Sequence, residues 1–284
     1  MSKLYLVPTP IGNLKDMSFR ALEILGAVDR VACEDTRVTG KLLQKYELKK
    51  PLLNYREHNE IEASEYILDL IEAGETIALV TDAGMPGISD PGETLVRKAV
   101  DRGIEVNVIP GPSALINALV SSGLPTRHFT FLGFLDKTKK KKREELALYQ
   151  DKEETLIFYE APHRIIDTLE AVLEVLGERS ISLSRELTKL YEEHLRGSVS
   201  GVLKKLQEKP IKGEFVLVIK GKTLVEKHRE LEVGYENLTL KEHVKMLIDQ
   251  GFSKKEAIKQ VASLRGLPKN QVYQESLDLQ ANDE

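Results

Sequence analysis

Three glycines, two prolines and two aspartates fall within Val80–Gly92, VTDAGMPGISDPG. The glycines Gly84, Gly87 and Gly92 let backbone approach a ligand closely, and Asp82 and Asp90 add acceptors for hydroxyls or cations. A plain turn with helix-capping Asp and Ser is the simpler reading of the same residues. A second rigid loop, Pro8-Thr-Pro-Ile-Gly-Asn-Leu14, and a third, Pro110-Gly-Pro-Ser-Ala114, share this composition. A fourth segment, Glu34-Asp35-Thr36-Arg37, is dense in charge. None of the loops contains GxGxxG or Gly-Lys-Ser/Thr, so neither a dinucleotide fingerprint nor a P-loop is present. A ligand held by backbone and apolar contacts fits them better than a triphosphate.

Each loop follows an apolar run. The strands expected are Leu4–Val7, Val28–Cys33, Leu52–Tyr55, Ile77–Val80 and Ile104–Ile109, and each is followed by a loop and a helical pattern. That rhythm argues a parallel sheet, whose carboxyl edge would bring the loops to one cleft. Beyond it, Phe129–Leu135, Thr155–Tyr159, Ser180–Ser184, Leu190–Leu195 and Gly213–Ile219 read as further strands. There are more strands per helix here, so the second sheet is expected to be mixed. Residues 222–236 read as a polar linker, and 240–276 as three short helices resembling a helix-turn-helix.

The 284 residues suffice for two domains and a small appendage. A net charge of −4 excludes a global basic signal for nucleic acid, so any such contact must be local. The local candidates are Lys137–Arg143, with six cations in seven residues, and the mildly basic tail. The simpler reading of the run is a solvated helix start or a mobile loop. Cys33 is the only cysteine, which excludes internal disulfides, and no spacing suggests a metal site. No run approaches a membrane span and no signal-peptide pattern is visible, so a cytoplasmic protein is expected.

LVPTPIGNLKD (6–16), CEDTR (33–37), the 80–92 loop, IPGPSA (109–114), FYEAPHR (158–164), SREL (184–187) and GEFVLVI (213–219) together resemble the tetrapyrrole-methylase superfamily. Within it they are most similar to the branch that modifies ribosomal RNA. The resemblance covers residues 3–222, with seven motifs in order.

It implies two α/β domains, 1–124 with a parallel five-stranded sheet and 125–222 with a mixed one, and a helical module with its linker over 223–284. It implies S-adenosylmethionine (SAM) in the cleft, with Pro10, Gly12, Asp82, Ala83, Gly84, Ile88, Ser89, Ser113, Ala114, Tyr159, Ala161, Gly213 and Glu214 about it. The implied activity is 2′-O-methylation of a cytidine ribose in the decoding region of 16S rRNA, free or in the assembled small subunit, by a homodimer without metal or membrane. A 2′-hydroxyl needs its proton removed during attack, or a charged neighbour that lowers its pKa. The polar groups at strand ends are Glu34, Asp35, Asp82, Glu160, His163, Glu186 and Lys189, of which Glu34, Asp35 and Glu186 are nominated. Arg37, Arg164, Arg185, Lys139 and Lys140 are nominated to hold RNA phosphate. The first loop is less Gly-rich than in the tetrapyrrole-making branch. A small-molecule substrate such as a tetrapyrrole, or ribosome binding without catalysis, are the competing readings.

Overall fold

A computed structural model of the chain describes residues 3–208, 210–223, 238–249 and 251–279. They divide into two compact units, 1–150 with 154–220, and 151–153 with 221–284. Most of the polar stretch expected as a linker, from 224 to 236, lies outside the described residues.

The first unit holds two sheets. Strands β1 (Leu4–Leu6), β2 (Arg30–Cys33), β3 (Leu52–Asn54), β4 (Ile77–Leu79) and β5 (Val106–Val108) form one, in the order β3-β2-β4-β1-β5. Every pairing is parallel. The central strands are apolar because helices cover both faces: α1 (Phe19–Ala27), α2 (Thr36–Lys45), α3 (Glu60–Glu72) and α4 (Glu93–Asp101). Leu4, Val31, Ile77 and Ala78 are fully buried, each aliphatic side chain larger than Ala worth about 1.5–3 kcal/mol. Ser18 caps α1 through the Ala21 amide, and Asp35 caps α2 through the Arg37 amide.

Helix α5 (Ala114–Ser122) leads to the second sheet. It comprises β6 (Phe129–Phe134), β7 (Thr155–Glu160), β8 (Ser180–Arg185), β9 (Glu193–Ser198) and β10 (Phe215–Ile219), in the order β6-β7-β10-β8-β9. Only β6 and β7 run parallel, so the sheet is mixed. Helices α6 (Lys139–Ala147), α7 (Ile165–Leu176) and α8 (Val199–Gln207) accompany it. One side of β7 and β10 packs against α7 and α8 around Phe158 and Leu217; the other meets α5 through Ile157 and Val218.

The strand expected at 190–195 is displaced to 193–198. Glu186 and Thr188 adopt left-handed φ of 52° and 65°, so the chain is still turning after β8. Leu190 and Tyr191 are consequently exposed, and pairing resumes at Arg185↔Glu193.

The second unit contains α9 (Leu240–Asp249), α10 (Lys254–Leu264) and α11 (Lys269–Glu275). Val244, Leu247, Ala257, Val261 and Val272 close its core. Ser253 and Glu256 form a reciprocal capping box at the start of α10.

Candidate functional site

The two Pro/Gly loops of the first sheet are sewn together. Thr9 N–H donates to Gly84 O at 2.9 Å and Gly84 N–H returns to Thr9 O at 3.0 Å. The Thr9 hydroxyl donates to Thr81 O at 3.0 Å. Gly84 has φ +87°, a conformation that a side chain would strain. The loops therefore present a fixed backbone surface at the carboxyl ends of β1 and β4.

That surface walls a cavity of about 490 Å³, closed from the other side by the second sheet. Asp82, Ala83, Gly84, Ile88, Ser89, Ser113 and Ala114 line it from one lobe. Tyr159, Ala161, Glu186 and Glu214 line it from the other, as do Glu160, His163 and Lys189. Several liners are not among the nominated residues: Ile11, Phe134, Leu187, Phe215 and Val216. Phe134 had a legible cue: Gly133 takes φ +64° where the β6–β7 register shifts, and a glycine inside a strand marks such bulges. The bulge sets Phe134 edge-on to Tyr159 at 5.7 Å, with Phe131 at 4.9 Å on the same ring.

Ten nominated residues do not line this cavity. Gly12 and Gly213 have packing roles instead. A Cβ on Gly12 would lie 2.5 Å from Lys189 Cγ and 2.9 Å from Leu187 O. A Cβ on Gly213 would lie 2.5 Å from Glu186 Oε1. Bare backbone on both sides thus lets the strained 186–189 turn sit between the loops. Pro10 is half-buried beside them.

The nominated acids differ in character. Asp35 accepts from the Arg37 amide at 2.8 Å and pairs with its guanidinium at 3.0 Å. Those bonds lower its pKa to about 2 and make it a weak proton acceptor. Glu34 is raised by burial and then by the Asp82 charge, and its carbonyl accepts from Arg56 Nε at 2.9 Å. Glu186 reaches the cavity, with Lys189 Nζ 3.0 Å from its Oε1. Asp90, half-buried in the wall, is raised to about 6 by burial, then by Glu34, Asp82 and Glu214. Burial similarly lifts Tyr159 to about 12.

Each nominated arginine is already engaged. Arg185 Nε lies 2.6 Å from Glu193, on the far edge of the sheet. Arg164 donates to the Leu135 and Asp136 carbonyls, and its Nε lies 3.2 Å from Glu160 Oε1. Arg37 pairs with Asp35 at the surface. The lysine run forms the first turns of α6. Lys139 and Lys140 are exposed, 3.6 Å from Asp167 and 3.9 Å from Glu144. Lys142 is only 3% exposed; its ammonium donates to Thr168 Oγ1 at 2.7 Å, and that hydroxyl donates to Glu160 Oε2 at 2.5 Å.

The cavity suits an elongated amphipathic molecule. Its size falls in the usual range for small-ligand sites, and its walls combine apolar side chains with a few carboxylates and loop backbone. Among the described residues, no group of three or more His, Cys, Asp or Glu is placed to hold a metal ion. No helix among them is long and apolar enough to cross a membrane.

Known proteins share both the sequence and the fold. A ribosomal RNA small subunit methyltransferase I of Bacillus subtilis (strain 168) is 49% identical over 273 residues, covering 96% of this chain and 93% of its own. A solved diphthine synthase covers 78% of this chain and 91% of its own at TM-score 0.61 and 16% identity. A uroporphyrin-III C-methyltransferase of Thermus thermophilus, solved with S-adenosyl homocysteine, covers 77% and 97% at TM-score 0.54 and 17% identity. These two structural likenesses concern the fold alone. The family model for tetrapyrrole (corrin/porphyrin) methylases matches residues 3–202, and the chain belongs to that family of methyltransferases.

Proposed function

We propose that the chain transfers a methyl group from SAM to the 2′-hydroxyl of a cytidine in the decoding region of 16S rRNA. The observation that carries this reading is the 49% identity, across 96% of the chain, to a methyltransferase named for small-subunit ribosomal RNA.

The donor set of the cavity fits SAM. The methyl-sulfonium group, when bound, supplies an electrophilic carbon open to in-line displacement. Residues of this chain have then to bind, orient and take up a proton. The Gly84 turn and Ser113 offer backbone to the amino-acid end, and the carboxylates of Asp82 and Asp90 favour its cationic groups. Apolar walls at Ala83, Ile88, Ala114 and Ala161 serve the adenine, beside the Phe134–Tyr159 pair.

Glu186 is the proton acceptor in this reading. It is the one nominated base in the cavity wall, and its strained backbone and the Lys189 contact fix it there. With Lys189 as its partner, the carboxylate faces a developing alkoxide beside a cation, which favours attack. Glu186→Gln is expected to reduce turnover by 10²-fold or more while binding of S-adenosyl homocysteine stays within threefold.

The reading is tested by incubating the protein and methyl-labelled SAM with small subunits from a strain lacking this activity. Separate arms hold extracted 16S rRNA and uroporphyrinogen III. Label on one cytidine ribose is the expected result. Label on a base, on the tetrapyrrole alone, or nowhere overturns it.

A further inference from the structure

We infer that the groove between α10 and α11 is a docking surface for single-stranded RNA. The groove encloses about 480 Å³. Lys254, Lys255, Lys259 and Lys269 line it, with Asn270, Tyr273 and Ile258, and no acid does. Helical spacing builds it from two facing rows. Lys255 and Lys259 stand four residues apart on α10, and Lys269 and Tyr273 four apart on α11, so each pair shares a face.

Three of the four cations there hold no ion pair among the described residues. Lys254 donates to the Leu277 and Leu279 carbonyls at 3.2 and 2.5 Å, which fixes one positive charge at the rim. Among the described residues, Lys255, Lys259 and Lys269 carry no ion pair within 4.0 Å. The nearest acid in sequence, Glu256, accepts from the Ser253 amide and hydroxyl at 3.1 and 2.6 Å and feels Lys259 only through space, outside the groove lining. On a chain of net charge −4, this is a local attractor for a polyanion.

The aromatic residue selects the kind of polyanion. Tyr273 is 49% exposed, beside the Asn270 amide, above a floor made by buried Ile258. Lysines that meet phosphates and an open ring that meets a base face are the two components of single-strand recognition. A duplex keeps its base faces stacked away from such a ring. An acidic peptide would use the lysines and leave the ring idle. The inference rests on the functional reading above only for the source of the RNA.

The test uses the full-length protein and two labelled probes: a 12-nucleotide single strand from the decoding region, and the same strand in duplex. The triple variant Lys255→Glu, Lys259→Glu, Lys269→Glu is expected to weaken single-strand binding at least tenfold at ~100 mM salt. A Lys→Gln version at the same three positions is expected to lower the slope of log affinity against log salt by about 2, since each single-strand phosphate contact contributes about 0.7. Tyr273→Ala is expected to weaken the single strand fivefold or more, leave the slope unchanged and hardly affect the duplex. S-adenosyl homocysteine titrated by calorimetry should bind all variants equally.

Single-strand affinities within twofold of the parent for both the lysine and tyrosine variants overturn the inference. Equal losses for strand and duplex, or competition by polyglutamate as effective as by the oligonucleotide, also overturn it. The outcomes separate this inference from the functional reading. Absent methyl transfer with groove-dependent RNA binding sinks only the activity. Labelled ribose at parental rates with unchanged binding sinks only the groove.

Discussion

Two stretches of the chain are rich in lysine, and the fold treats them in opposite ways. At the start of α6, the run 137–143 is laced to acids: Lys139 to Asp167, Lys140 to Glu144, Lys141 to Asp136, Arg143 to Glu174. One of its members, Lys142, is buried on a hydroxyl that leads to a buried carboxylate. In the helical unit the lysines are more scattered in sequence, yet four of them converge on one groove without acids. Density of charge in sequence is therefore a poor guide to potential at the surface. What decides is whether acids share the face, and helix period sets that.

The comparison is broken most forcefully at Lys142. If that residue belongs to the interior and not to a cationic patch, Lys142→Glu should act on stability first. It would bury a second carboxylate near Glu160, whose side chain is fully shielded. Breaking buried, hydrogen-bonded charge costs about 3–5 kcal/mol. A fall of this size in urea-denaturation free energy is expected. A change below about 1 kcal/mol, accompanied by lost RNA affinity, would restore the patch reading.

Lys142 also shows what the sequence made legible. Its burial follows from its position four residues before the buried Leu146 on the same helix face, a period-3.6 signal that the eye passes over inside a run of like residues. The parallel sheet was readable because each strand is an apolar run cut off by Gly, Pro or charge, and parallel topology brings those cut ends to one edge. Asp82, Gly84 and Ser113 share a wall for that reason. The opposite wall was harder to read. Leu187, Phe215 and Val216 face the cavity through the pairing of β10 between β7 and β8, which no local pattern announces. Glu34 and Glu186 look alike as strand-end acids, yet only Glu186 lines the cavity. Long-range packing, through bare Gly12 and Gly213, makes that difference.

Matched charge at the cleft depends on the same packing, and Gly213→Ala sharpens the point. The new methyl would meet the Glu186 carboxylate at 2.5 Å on a backbone of φ +87°. Overpacking and strain of this kind cost about 1–3 kcal/mol. The larger consequence is displacement of Glu186 from Lys189. Turnover should fall at least tenfold while RNA affinity holds. Unchanged turnover would mean that this ion pair has no part in the reaction.

Asp90 holds no ion pair among the described residues and stands in the cavity wall as an acid among acids. Burial and its neighbours raise it from 3.8 to about 6. A raised acid favours folding while protonated, so its contribution is complete below about pH 4 and is lost as pH rises through 6. Asp90→Asn should abolish that part of the decline in stability. The effect is at most about 2 kcal/mol once the solvent screening of a half-exposed carboxyl is counted. The charge also predicts selectivity: the ratio of SAM to S-adenosyl homocysteine affinity should increase between pH 5 and 7 in the parent and stay flat in Asp90→Asn. A rising ratio in both proteins would remove Asp90 from the site.

The smallest effect is expected where the sequence put the most charge. Lys139 and Lys140 are exposed and lie 3.6 and 3.9 Å from their acids. Pairs of this kind are worth about 0–1 kcal/mol, and their partners already cancel much of their field at a distance. If these lysines touch RNA phosphate, they do so after giving up Asp167 and Glu144. The double variant Lys139→Glu, Lys140→Glu should therefore lower affinity for small subunits by no more than about threefold at 150 mM salt, roughly 0.6 kcal/mol. The groove variants, with fewer charges altered per unit length of chain, should exceed it. The reverse order, read side by side in one binding assay, would show that uncancelled charge is not what the RNA selects.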